Sequence, residues 1–238
     1  MLQLERVNVH YGATRVLWDV SISVGAGEMV AVMGPNGSGK STVLKAAMGL
    51  KKPSSGVVSL NGEELQAKPA TVRPQRGMSI VLERRRLFPR MSVEENIMLG
   101  AYVRKAAEAR ETYDWVLEIL PEIKPHLQAT AGRLSGGQQQ MVAIARGLMA
   151  DPKILLMDEP FLGLSPAMVK NVLAIMKTIN ERGVAILFNE QNAKLSFAVS
   201  HRGYLLESGR VVLSGSGEEM LEHPEVKRVY LGVREAAA

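Results

Sequence analysis

The 238-residue sequence contains no cysteine. That excludes a disulfide scaffold and any zinc or iron–sulfur centre held by thiolates, and it suits a reducing cytoplasm. Long apolar runs are also missing. A membrane-spanning helix needs about 20 consecutive apolar residues. The runs here, Met141–Ala145, Ile154–Met157 and Val184–Phe188, are the size of single core elements. The opening Met-Leu-Gln-Leu-Glu-Arg has no basic stretch leading into an apolar one, so no secretory signal is read there. Charge of one sign is in short supply: 29 Lys and Arg against 24 Asp and Glu leave +5. That excess is too small to require nucleic acid or an anionic membrane as partner. What is there, 46% hydrophobic and 22% charged residues, excludes intrinsic disorder. The length is enough to bury the core of one large domain or two small ones. There is no internal repeat and no low-complexity linker.

Residues 2–9 and 16–24 alternate apolar and polar, which predicts half-buried strands. Residues 29–33 are uniformly apolar, as in a strand buried on both faces. Gly-rich residues 34–39 follow, then a helix over 40–50. Val57–Leu60 runs into Asn61-Gly62, a strand entering a hairpin turn. From 84 to 150 helical patterns dominate. Ser92 and Glu95 have the spacing of a capping box, opening a helix to about Tyr102. A charge-rich helix over 104–120 ends at Pro121, and another spans 137–150. Strands at 153–157, 184–188 and 204–206 then alternate with helices at 166–182 and 192–199. The first of these helices carries apolar residues at 168, 169, 172, 173, 176 and 179. Residues 211–213 pair with the last strand across Ser208-Gly209. Helix signals close the pattern at 217–230, and Glu235–Ala238 reads as a frayed tail. Alternating strands and helices imply an α/β fold with a mostly parallel sheet. To it are added an antiparallel N-terminal β part and a helical block inserted at 84–150, all within one domain spanning 1–238.

Gly34-Pro35-Asn36-Gly37-Ser38-Gly39-Lys40-Ser41, continued by Thr42, satisfies G-x-x-x-x-G-K-[ST]. Each part has a physical reason. Glycines let the backbone curl so that successive N–H groups point at one anion. The loop ends at a helix N-terminus, whose free N–H groups and dipole also favour phosphate. Lys40 supplies a charge for the β- and γ-phosphates, and the Ser41 hydroxyl can ligate Mg²⁺. Ile154-Leu155-Leu156-Met157 is an apolar strand ending in Asp158-Glu159. A parallel strand presents its carboxyl end to a bound nucleotide. Asp158 is therefore expected to hold Mg²⁺, and Glu159, on the other side by strand alternation, to act as general base for the water attacking the γ-phosphate.

Leu134-Ser135-Gly136-Gly137-Gln138 stands before a helix. Such a five-residue string arises by chance on the order of once in several thousand chains. With it, the chain resembles the ATP-binding cassette of ABC transporters over nearly its whole length. The resemblance implies two cassettes facing head to tail, with ATP between the phosphate loop of one and Ser135, Gly136, Gly137 and Gln138 of the other. It implies ATP and Mg²⁺ as cofactors, two transmembrane permease subunits as partners, an external solute-binding protein acting indirectly, no nucleic acid, and a peripheral place on the cytoplasmic face of the inner membrane. It matches Tyr11 to the aromatic residue that stacks on adenine. Glu83 stands where the family usually has a metal-reaching glutamine, Gln191 where it has a histidine contacting the γ-phosphate, and Ser165 where it has an interfacial aspartate.

Phe88-Pro89-Arg90-Met-Ser-Val-Glu-Glu-Asn96, Gly163-Leu164-Ser165-Pro166, Glu190-Gln191-Asn192-Ala193 and Arg202-Gly203-Tyr204 resemble one subfamily, the ATPase subunits of bacterial branched-chain amino acid importers. Leu82, Arg84, Phe161 and Asn189 depart from its pattern, replacing a proline, a glycine, a small hydroxyl residue and an apolar residue. Related amide or urea importers remain the alternative. A DNA- or ribosome-acting cassette would carry two cassettes or a long coiled coil, and this chain has one cassette and no heptad run. A GTPase would want an Asn-Lys pair to read guanine, and none occurs. The basic run Arg84-Arg85-Arg86 with Arg90 is expected near the membrane partner.

Overall fold

The structure is a computed structural model, and it describes residues 1–230. Expectations for Glu235–Ala238 fall outside the described residues. The chain forms two compact units, residues 1–68 with 187–238 and residues 69–186.

The first unit opens with β1 (Leu2–Tyr11), β2 (Thr14–Val24), β3 (Met29–Met33), α1 (Lys40–Met48), β4 (Ser55–Leu60) and β5 (Glu63–Glu64). Strands β2-β1-β4-β5 make an antiparallel sheet, with Leu2 opposite Val24 and Leu60 and Leu4 opposite Ile22 and Val58. The alternation read in the sequence puts Leu2, Leu4, Val20 and Ile22 inside. Strand β3 is different: all five residues are buried, as a strand covered on both faces must be.

The second unit contains α2 (Val72–Gln75), β6 (Met78–Val81), α3 (Val93–Met98), α4 (Ala106–Ile119), α5 (Gly136–Leu148), β7 (Ile154–Asp158) and α6 (Pro166–Glu181). Strands β6 and β7 are parallel, Met78 beside Ile154 and Val81 beside Met157. The chain passes back to the first unit within β8 (Ala185–Glu190). It continues through α7 (Ala193–Val199), β9 (Arg202–Glu207), β10 (Arg210–Ser216), α8 (Gly217–Glu222) and α9 (Pro224–Tyr230). There β9 lies parallel to β3, Val30 beside Arg202, and β10 folds back antiparallel on β9. This is the α/β arrangement read from the sequence, with an added antiparallel β part. Among the described residues no helix is long and apolar enough to cross a membrane.

Some elements differ from expectation. The α3 helix stops at Met98 and tightens into a 3-10 turn over Leu99–Ala101 instead of running to Tyr102. Gly100 lies so close to α5 that a Cβ there would stand 1.9 Å from the Arg146 carbonyl oxygen. On α6 the buried set is Val172, Ile175, Met176 and Ile179; Ile175 was not on the predicted stripe, and Met168, Val169 and Leu173 are only partly covered. Elements α2 and β6 carry no strong pattern of their own and have no counterpart among the elements expected from the sequence.

The capping box at Ser92 is present, Glu95 N–H donating to Ser92 Oγ at 3.1 Å and Ser92 N–H to the Glu95 carboxylate at 2.7 Å. One turn on, Asn96 is fully buried. Its amide donates to the Phe88 and Ser92 carbonyls at 3.0 and 2.9 Å and accepts the Phe88 N–H at 2.8 Å. Asn96→Ala is expected to destabilise the chain by about 3 kcal/mol, since it strips partners from buried backbone groups. Chemical denaturation checks this; an unchanged midpoint would contradict it.

Candidate functional site

The first unit carries the phosphate loop, between β3 and α1. Gly34 has φ +152° and packs so tightly that a Cβ would stand 2.1 Å from the Leu206 carbonyl oxygen. Gly39, the N-cap of α1, has φ +104°, and a Cβ there would meet Leu17 Cδ2 at 2.7 Å. Both positions demand glycine. Ser38 N–H donates to the Pro35 carbonyl at 3.2 Å, and Gly209 N–H to the Ser38 carbonyl at 3.0 Å. Lys40 is 4% exposed, and its ammonium donates to the Gly34 and Pro35 carbonyls at 2.8 and 3.0 Å. The charge is thus held inside the loop's own curl. Pro35, Asn36 and Gly37 form the exposed rim, while Thr42 is buried. Ser38 Oγ is buried with no hydrogen-bond partner among the described residues.

Tyr11 closes β1. The residue is 44% exposed, and the Lys51 ammonium lies 4.3 Å from the centroid of its ring. One face therefore carries a cation.

At the end of β8, Asn189 and Glu190 are both buried. The Asn189 amide donates to Ser41 Oγ at 3.4 Å. Neither residue was assigned a role from the sequence. A polar pair ending an apolar strand was the available signal. Gln191 is exposed, its N–H donating to the Glu190 carboxylate at 3.1 Å. Asn192 then caps α7 by accepting the Leu195 N–H at 3.0 Å.

The second unit carries the remaining predicted residues. Asp158 ends β7 and is 2% exposed. Glu159 is half-buried and has φ +48°. Glu159 lies beyond the end of β7, so the strand alternation read in the sequence does not extend to it. The backbone swings into the left-handed region straight after Asp158, and Leu162 N–H closes the turn on the Glu159 carbonyl at 3.1 Å. Phe161 is buried in that turn. Ser165 caps α6, accepting the Met168 N–H at 3.4 Å.

Ser135 is the N-cap of α5, and Gly136 and Gly137 are its first residues. Ser135 Oγ accepts the Gln138 N–H at 3.3 Å, and the Gln138 amide oxygen accepts the Ser135 N–H at 3.0 Å. Gln138 also reaches His126 at 2.9 Å. The Leu134–Gln138 string is thus a second capping box, which uses the Ser135 and Gln138 N–H groups to fix the entry into α5.

Glu83 is paired with the adjacent Arg84, Nε to Oε1 at 3.2 Å. Arg84, Arg85 and Arg86 all lie in the left-handed region, at φ 58°, 65° and 49°. That conformation costs about 1–2 kcal/mol per non-glycine residue. Arg146 on α5 holds the turn, donating to the Arg86 and Arg85 carbonyls at 2.9 and 2.8 Å. Burial pulls the Arg146 guanidinium below its ordinary pKa. The Arg85 guanidinium packs against Gly136 and donates to the Leu162 carbonyl at 3.4 Å.

The donor set fits a nucleotide phosphate. It offers an enclosed ammonium, a buried hydroxyl short of partners and a helix N-terminus. Among the described residues no group of three or more His, Cys, Asp or Glu could cage a metal. Mg²⁺ does not need such a cage, because it binds through one or two protein oxygens together with substrate phosphates and water.

Comparison with known proteins gives a consistent result. A profile of the ABC transporter family matches residues 17–162. The chain is 39% identical over 232 residues to the high-affinity branched-chain amino acid transport ATP-binding protein BraG of Pseudomonas aeruginosa, covering 98% of this chain and 100% of that one. It is 36% identical to the probable branched-chain amino acid transport ATP-binding protein LivF of Archaeoglobus fulgidus, covering 98% and 99%. It is also 33% identical to the lipopolysaccharide export system ATP-binding protein LptB of Haemophilus influenzae, covering 98% and 97%. Among solved structures, an ATP-binding cassette of an ABC transporter in its ADP conformation matches with a TM-score of 0.86 at 26% identity, covering 98% and 99%. A dimeric post-hydrolysis cassette bound to ADP and phosphate matches with 0.82 at 27%, covering 91% and 98%.

Proposed function

Because the chain belongs to the ABC transporter family as one of its ATP-binding cassettes, and so is an ATPase subunit that binds nucleotide, we propose that it energises import of branched-chain amino acids. The observation that carries this reading is the 39% identity, over nearly the whole chain, to the high-affinity branched-chain amino acid transport ATP-binding protein BraG, highest among the relatives named above. The subfamily strings Glu190-Gln191-Asn192-Ala193 and Arg202-Gly203-Tyr204 support it.

In this reading Gly34 to Thr42 wrap the phosphates, Lys40 neutralises the β- and γ-phosphates, and Tyr11 offers its ring to adenine. Ser41, Asp158 and Glu83 are the residues we assign to Mg²⁺. The ion, when bound, draws charge from the phosphate oxygens. Glu159 takes a proton from the attacking water as the new P–O bond forms. The bond from the γ-phosphorus to the bridging oxygen breaks, leaving ADP and phosphate. Gln191 donates a neutral hydrogen bond to the γ-phosphate, since it cannot carry the charge of a histidine. Ser135, Gly136 and Gly137 contact the nucleotide of a second, facing cassette, with Gln138 keeping their loop in shape. The dimeric cassette similar to this chain supports the pairing. We assign residues 84–150 as a helical subdomain of one cassette. Its exposed apolar side chains Phe88, Met98, Leu99 and Tyr102 offer a surface to transmembrane permease subunits at the cytoplasmic face of the membrane.

The similarity to LptB gives the second reading, a glycolipid exporter subunit. Reconstituting the chain with candidate permease subunits from the same genome, in vesicles loaded with ATP, separates the two. Uptake of labelled leucine, isoleucine or valine that requires the binding protein is the expected result. ATP-driven release of glycolipid without amino-acid uptake would reverse the assignment.

A further inference from the structure

We infer that Asn189 is a positioning residue for the Ser41 hydroxyl, and that through it the strand β8 sets how strongly Mg²⁺ is held with the nucleotide. The inference rests on the nucleotide reading above and adds a residue to it. Residues 185–188, which precede Asn189 on β8, are apolar and fully buried. Asn189 is itself 0% exposed. An apolar residue would be the default there, because burying an amide is unfavourable unless its hydrogen bonds are made. The structure shows one of them: Asn189 Nδ2 donates to Ser41 Oγ at 3.4 Å, across 148 residues of sequence.

Ser41 is the second residue of α1, directly after Lys40. A serine hydroxyl has one proton and two lone pairs and rotates freely unless a neighbour fixes it. The Asn189 N–H engages one lone pair. That contact helps to hold the torsion, and with it the direction in which the hydroxyl oxygen faces a metal. A ligating oxygen aimed in advance binds its metal more tightly than one that must first be ordered, and this is how partners of a metal ligand tune affinity. The donation also withdraws a little electron density from the oxygen. At 3.4 Å the bond is long, and that opposing effect is small.

The test is calorimetric titration of the full chain with ATP, once in excess Mg²⁺ and once in EDTA. The ratio of the two affinities isolates the contribution of the metal. Asn189→Leu and the smaller Asn189→Ala are expected to keep the EDTA affinity and to lower the ratio about tenfold, the low end for a residue that orients a metal ligand. In a Ser41→Ala background the same substitutions should lower it no further, because the oxygen they act through is gone. An unchanged ratio in both variants, or an equal loss in both media, overturns the inference and leaves the nucleotide reading standing. A wild-type chain that binds ATP in neither medium overturns that reading, and the inference with it.

Discussion

Replacing Lys40 with alanine is expected to abolish ATP binding. Lys40 is 4% exposed, and its ammonium donates to the Gly34 and Pro35 carbonyls where the loop curls. It is therefore a charge held largely out of water, where its attraction for a polyphosphate is weakly screened. Truncating one partner of a buried, hydrogen-bonded charge pair costs about 2–5 kcal/mol. The middle of that range is several-hundred-fold in affinity, roughly the step from micromolar to millimolar. Titration with a fluorescent ATP analogue reads this directly. The fold should survive, because the loop is also held by Ser38 and Gly209, so an unchanged far-ultraviolet dichroism spectrum should accompany the loss. Affinity within about threefold of wild type would contradict the assignment of Lys40 to the phosphates.

Glu159→Gln should separate binding from chemistry. The substitution keeps size and hydrogen-bonding capacity but removes the basicity needed to take a proton from water. General-base catalysis is worth about 10²–10⁴-fold, and hydrolysis should fall by that order while ATP still binds. In the proposed pairing Ser135, Gly136 and Gly137 contact the facing cassette's nucleotide; with the γ-phosphate no longer removed, ATP-loaded dimers should accumulate, visible as an ATP-dependent doubling of mass in light scattering. Glu159 stands in a left-handed turn, a conformation the glutamine must also adopt. Unimpaired hydrolysis by this variant would sink the general-base role.

The parts of this chain that were legible in its sequence are those fixed by local rules. A continuous apolar run names β3, and glycine spacing names the loop after it. The Ser92 and Glu95 pair opens α3 as read. What escaped depends on partners far along the chain. The four residues of β6 are a strand because Met78 and its neighbours pair with Ile154 and those following it. No local rule puts three successive arginines in the left-handed region; the turn is held by Arg146, 60 residues beyond Arg86. The same is true of the site. Lys40, Asp158 and the signature announce themselves by motif. Asn189 reads locally as a polar break in an apolar strand, because its partner Ser41 is 148 residues away in the sequence. The left-handed backbone at Glu159 is not encoded by its sequence neighbours.

The first unit is built from both arms of the chain, and this has a consequence for how the protein is made. Strand β3, which launches the phosphate loop, is flanked by β9, with Val30 beside Arg202. The loop itself is braced by the Leu206 carbonyl against Gly34 and by the Gly209 N–H on Ser38. A nascent chain that has reached the end of α1 already contains every residue of the motif, yet lacks these braces. Residues 69–186 are contiguous and can fold as they emerge, whereas the first unit must wait for the largest loop closure in the chain. ATP therefore cannot act as a folding ligand early in synthesis. It can stabilise the cassette only after residue 209 has left the ribosome.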